Sequence, residues 1–166
     1  MITMTHRYDK LQCERQMTIQ DLTDFGPKLR VYALVRIEDL IGAGLPSDYR
    51  LFLLLTNGAG PVEKHGWFKM KTKTNRRWSR LHFFYGIRCR DTETCLLEYA
   101  WRTYSSRIQP AMFPIAGDVY GNQILLLFKG KEAGKVSFWS HEHDEPDIKL
   151  AKSFTEFFEN IQIEPP

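Results

Sequence analysis

The chain has 166 residues, 43% of them hydrophobic and 13% aromatic, and a formal net charge of +3. That length suits one domain with a self-sufficient core, burying about 68–70% of the surface its unfolded form exposes, and the composition excludes a disordered chain. The longest apolar runs, such as Leu51–Leu55, have five residues, far short of the roughly 20 that a membrane helix needs, and the start carries no basic stretch leading into an apolar one, so the expected location is cytoplasmic.

In chain order, Met1 to about Leu29 shows little pattern, and residues 1–33 are expected to form an N-terminal extension, partly disordered or loosely helical. Leu34, Ile37, Leu40 and Ile41 recur at helical spacing, and Gly42 and Gly44 stop that helix. Pro46 holds the residue before it out of the helical region. Ser47 is then the expected cap of a second helix, with Asp48 in its first turn and Tyr49, Phe52, Leu53 and Thr56 on its buried face. Asn57–Pro61 ends it with residues that accept positive φ.

"GWFKM" reads as a strand, and the basic stretch after it as a loop or short helix. Leu81–Ile87 is strand-like by its aromatic content. A helix capped by Asp91 or Thr92 buries Leu97, Trp101, Tyr104 and Ile108, and Pro110 forbids its continuation. "MFPIA", "QILLLF" and "KVSFWS" read as three strands. Ser153 and Glu156 form an S-x-x-E capping box that opens a last helix facing inward with Phe154, Phe157, Phe158 and Ile161. Strands in the middle, helices near both ends and one inserted helix predict a single α+β domain with a central antiparallel or mixed sheet.

The chemistry-bearing candidates are few. In "GDVYGN" (Gly117–Asn122) the lysine and Ser/Thr of a phosphate loop are missing, the dinucleotide glycine pattern fails, and Asp118 stands nearly alone where calcium needs several acids. It reads as a strand-to-strand turn in which Asp118 bonds the turn's own amides. His141 and His143 in "HEHD" have the donor types for zinc or nickel, but a solvated acidic loop ending at Pro146 is the plainer reading. Cys13, Cys89 and Cys95 are odd in number and form no C-x-x-C pair, which argues against a disulfide framework and a four-cysteine zinc site. No nucleophile elbow, H-E-x-x-H or zinc-deaminase pattern occurs. No catalytic residue, metal or cofactor is expected.

Charge is distributed unevenly. Lys69–Arg80 carries six basic residues and no acidic one, with Trp67 and Trp78 close by. That is the pattern of a nucleic-acid binder, although a solubilising loop explains it as simply. From Glu142 to Glu164 there are seven acidic residues and two lysines, a balance of −5.

The order of these segments resembles the SUKH superfamily of bacterial immunity proteins, which also contains yeast cell-wall synthesis regulators. Leu45–Pro61 ("LPSDYRLFLLLTNGAGP") is similar to the family's opening block, "HGWFKM" and "LHFFYGI" to its aromatic strands, Tyr99–Glu142 to its core, and "LAKSFTEFFENI" to its closing helix. The resemblance spans about residues 34–163 and implies a domain with those bounds. It implies an intracellular antidote that is no enzyme and that binds a cognate toxin domain, blocking it stoichiometrically. Tyr49, Phe52, Phe138 and Trp139 would then be core, and Asn57, Gly58, Gly121 and Asn122 turn chemistry. Many toxins of such systems are basic nucleases, so either the acidic C-terminal portion is the complementary patch or the toxin is of another kind. The contact surface is expected at the charged margin of Glu142, Asp144, Glu145 and Asp147, beyond a strand end. An intracellular regulatory interaction module is the first alternative, and a nucleic-acid binder acting through Lys69–Arg80 the second. No membrane partner is expected, and monomer and homodimer both stay open.

Overall fold

The computed structural model describes residues 15–64, 66–71, 76–87, 97–142 and 148–164. The fold is α+β, a single domain with four helices and a large antiparallel sheet. Two short strands, β1 (Leu22–Thr23) and β2 (Gly60–Pro61), pair antiparallel at the margin. The main sheet has six strands: β3 (Trp67–Lys71), β4 (Arg76–Phe84), β5 (Met112–Asp118), β6 (Gln123–Leu127), β7 (Val136–Trp139) and β8 (Ile148–Ala151). They lie side by side in chain order, each antiparallel to the next.

Helices α1 (Val31–Ile41) and α2 (Ser47–Thr56) precede the sheet, α3 (Leu97–Tyr104) is inserted between β4 and β5, and α4 (Phe154–Glu159) follows β8. The periodicity of α1 buries Leu34, Ile37 and Ile41, while Leu40 stays 40% exposed on the outer side. In α2 the expected face of Tyr49, Phe52, Leu53 and Thr56 is buried in full. Glu38 of α1 ties the two helices, accepting from Leu45 N and from Arg50 Nε, each at 3.1 Å.

The sheet separates two apolar clusters, as alternation along paired strands requires. On one face Ile124, Leu126, Val136 and Phe138 join the main core beneath α2 and α4. There Phe52 meets the rings of Phe84 and Phe154, both with centroids 4.8 Å away, and Phe158 at 5.6 Å. On the other face Met112, Leu125 and Trp139 form a smaller cluster with Ile108, against Trp101 and Tyr104 of α3. With both faces covered, every residue of β5 is buried, so it reads as a continuous apolar run rather than an alternating one. Pro114 is tolerated inside β5 where the register shifts, since a bulge frees the ladder from a donor proline lacks.

Residues 15–30 run along this domain. Met17 N donates to Ile161 O at 2.8 Å, Gly26 N to Thr56 O at 3.1 Å, and Met17 and Leu22 are buried.

Three local expectations need correction. The strand expected in "GWFKM" is present, but the basic stretch after it is neither loop nor helix as far as it is described: Lys71 ends β3 and Arg76–Arg80 belong to β4, with Lys69 opposite Trp78 and Met70 opposite Arg77. Phe68 and Met70 point to the core and the lysines away, a period-two pattern masked by the density of cations. Ser47 is the first residue of α2 rather than its cap; Pro46 holds the cap position and makes no side-chain bond. At α4, Ser153 Oγ accepts from Glu156 N at 3.1 Å as expected, but the Glu156 carboxylate takes the N–H of Lys152, at 2.6 Å, instead of that of Ser153. The caps placed at Asp91 and Thr92 lie outside the described residues, as do Cys13, Cys89 and Cys95.

Candidate partner-binding site

The turn from β5 to β6 is built on Asp118, which is 2% exposed. Its Oδ1 accepts from the backbone N–H groups of Tyr120 (2.9 Å) and Asn122 (2.8 Å). Its Oδ2 accepts from Ser79 Oγ (2.7 Å) and Asn122 Nδ2 (2.9 Å). Four bonds saturate the carboxylate and lock the turn to β4, while Gly121 supplies the left-handed residue at φ +85. The sequence-level reading of this stretch as a turn holds.

The chain of bonds goes on. Asn122 Oδ1 accepts from the backbone N–H of His141 at 3.3 Å and lies 3.0 Å from His141 Nδ1. With Asn122 Nδ2 committed to Asp118, Oδ1 faces the imidazole and can only accept. Nδ1 is therefore the donor in this contact. The His141 carbonyl accepts from Arg107 Nη2 at 2.8 Å, and the Arg107 guanidinium lies 5.0 Å from the Trp139 ring. Ser79, Asp118, Asn122 and His141 thus brace β4, the β5–β6 turn and the end of β7 against one another. The Ser79 hydroxyl donates to Asp118, and His141 is held by Asn122.

These residues form one wall of an open cleft of about 320 Å³. Met70, Phe138 and Ile148 supply apolar surface, and Trp78 and Tyr120 also line it, Tyr120 being 71% exposed. Arg77 and Glu142, both exposed, bring opposite charges to it.

Of the four acidic residues expected at the contact surface, Glu142 lies in this cleft, and Asp144, Glu145 and Asp147 lie outside the described residues. Glu142 and Ile148, the described residues on either side of them, both line the cleft. His143 is likewise outside; among the described residues no three His, Cys, Asp or Glu side chains are grouped to hold a metal ion. Sequence reasoning missed Ser79, Arg77, Trp78 and Tyr120 as parts of one site. Ser79 and Asp118 are 39 positions apart, and no local pattern announces such a contact.

Among the described residues Tyr49 is the one group whose acidity is clearly displaced: burial pushes its hydroxyl well above the usual range for tyrosine. It sits in the core, away from the residues that line the cleft. No helix among the described residues is long and apolar enough to cross a membrane.

Comparison with known proteins places this architecture. Residues 32–160 match the model of the SMI1 / KNR4 family (SUKH-1). Over 152 residues the chain is 32% identical to the SPbeta prophage-derived uncharacterized protein YokK of Bacillus subtilis (strain 168), an alignment that covers 80% of this chain and 74% of the relative.

Proposed function

Because the chain belongs to the SMI1 / KNR4 family (SUKH-1), we propose that it is a bacterial immunity protein, acting in the cytoplasm by binding a cognate toxin domain and occluding it stoichiometrically, without turnover of any substrate. The observation that carries this reading is how the polar groups at the cleft are used. Asp118, Asn122 and Ser79 are spent on one another, fixing shape, while Arg77, Tyr120 and Glu142 are left at the surface. A rigid frame with outward-facing charged and aromatic groups suits recognition rather than bond-making.

The acidic margin of Glu142, Asp144, Glu145 and Asp147 is the contact surface in this proposal, with the cleft beside it receiving one side chain of the toxin. A stable complex would bury roughly 1,200–2,000 Å² in total. The charges would raise the association rate and fix the register, and the anchor in the cleft would hold the complex. The prophage origin named for the Bacillus relative supports a setting in which bacteria carry toxins and their antidotes. The test is co-expression with the C-terminal domain encoded by the neighbouring gene. Rescue of growth together with a co-purifying equimolar complex is the expected result; rescue without any complex would refute occlusion.

A further inference from the structure

The β3–β4 hairpin has two unlike faces. Phe68 and Met70 turn to the core, with Ser79 opposite Phe68. The other face carries cross-strand pairs of aromatic and cation. Arg80 stands opposite Trp67 with its guanidinium carbon 5.6 Å from the ring centroid, and Lys69 stands opposite Trp78 with Nζ at 5.3 Å. Both tryptophans are half-buried; Lys69 and Lys71 are exposed.

Strand β8, last in the sheet order, comes back against β3 and adds the exposed Lys149. Lys69, Lys71, Trp78 and Lys149 line a groove of about 280 Å³ together with Glu156 of α4. Glu156 accepts from the backbone N–H of Lys152 at 2.6 Å and makes no ion pair with these lysines among the described residues. The ion pairs among the described residues join Arg15 to Asp21, Arg50 to Glu38 and Lys135 to Glu132. Lys69, Lys71, Arg77, Arg80 and Lys149 take part in none of them. Arg80 Nε is shielded from solvent without a hydrogen-bond partner among the described residues. Trp78 is the wall shared by this groove and the cleft that holds Glu142.

We propose that this face is a second docking surface, for a carboxylate-rich segment of a partner protein. Lys69, Lys71 and Lys149 would pair with its acids, and the edges of Trp67 and Trp78 would receive its apolar atoms. Cations that make no ion pair among the described residues and converge on one groove are the charge complement of such a segment. A nucleic acid fits less well. Sequence-tolerant binding of single strands relies on open aromatic faces for stacking bases, whereas each of these rings is half-buried and already has a cation over it. The proposal rests on the reading of the chain as a protein-binding module, but not on the identity of a toxin or on the acidic margin. Together the two surfaces make the recognition bipolar, so a partner would need an acidic and a basic region in fixed relation, which raises specificity.

The test uses the full chain, with labelled poly-L-glutamate and labelled oligothymidylate of equal charge as probes, followed by fluorescence anisotropy at low and then rising salt. Poly-L-glutamate is expected to bind at low salt, more tightly than oligothymidylate. The triple variant Lys69→Glu/Lys71→Glu/Lys149→Glu should weaken that binding by roughly tenfold or more, while Lys131→Glu, in the β6–β7 loop, should leave it nearly unchanged. Far-UV circular dichroism confirms that the variants fold; should the triple variant fail, Lys149→Glu alone is read in its place. Tighter binding of the oligonucleotide, binding of neither probe, or an equal loss in Lys131→Glu overturns the proposal. No toxin enters this experiment, so its outcome stands apart from that of the growth rescue.

Discussion

Tyr49→Phe should stabilise the protein. Tyr49 is fully buried in α2, its ring packed 5.1 Å from that of Phe154, and its hydroxyl has no hydrogen-bond partner among the described residues. A buried hydroxyl without a partner forfeits about 1–3 kcal/mol of hydration. Removing the oxygen recovers that penalty, keeps the ring contacts and leaves a void smaller than a methyl group, at a cost of about 1 kcal/mol or less. The net expectation is a gain of roughly 1 kcal/mol at pH 7, which for a chain of this size raises Tm by about 2–4 °C. A pH dependence follows from the same burial. The folded-state pKa of Tyr49 is raised well above 10.0, so the stability linked to its protonation is fully present below about pH 10 and is lost as pH climbs toward the folded value. Phenylalanine does not titrate, and its advantage over tyrosine should therefore widen above pH 10. Urea unfolding followed by far-UV circular dichroism at pH 7 and at pH 10.5 measures both effects, through a midpoint shift at constant slope. A loss of more than about 1 kcal/mol at pH 7 would refute the reasoning, since it would mean that the hydroxyl has a partner worth more than its burial costs.

Asp118→Asn replaces a four-fold acceptor by a group with donors of its own, facing the N–H groups of Tyr120 and Asn122; it should cost about 2–4 kcal/mol in the same urea assay. Gly58→Ala should cost on the order of 3 kcal/mol, because Gly58 sits at φ +83 and a Cβ there would meet the Gly86 backbone at 2.8 Å. Gly44→Ala, where nothing lies within 4 Å, should change stability by less than about 0.5 kcal/mol, and an equal cost at both positions would contradict the steric account. Ser153→Ala removes the acceptor for Glu156 N and should cost about 1 kcal/mol, seen as a lower Tm. Reversing the charges at Glu142, Asp144, Glu145 and Asp147 together should abolish growth rescue while the protein still folds; unchanged rescue would move the contact surface elsewhere.

The elements legible in the amino-acid order are those whose signal is local. The faces of α1, α2 and α4 show because a helix repeats every 3.6 residues, so Leu34, Ile37 and Ile41, or Phe154 and Phe157, declare a buried side without reference to any partner. Ser153 capping α4 and Asp118 closing its own turn are likewise short-range chemistry. The central strands show by their apolar runs, and the resemblance of the blocks between residues 34 and 163 led to the family. What the tertiary structure alone decided are contacts between distant positions. Strand β8, with a single buried residue in four, is a strand because β7 offers it a ladder. Asn57, legible as a turn residue, also accepts from Ile87 N at 2.7 Å and donates to Pro27 O at 2.8 Å, each 30 positions away. Asp48, expected only to open α2, accepts from Thr155 N across 107 positions. The cleft itself gathers Arg77 from β4, Tyr120 from a turn and Glu142 from beyond β7. Periodicity reports which side of an element is buried, not which other element covers it, and register and chain crossing supply that second fact only once the sheet has formed.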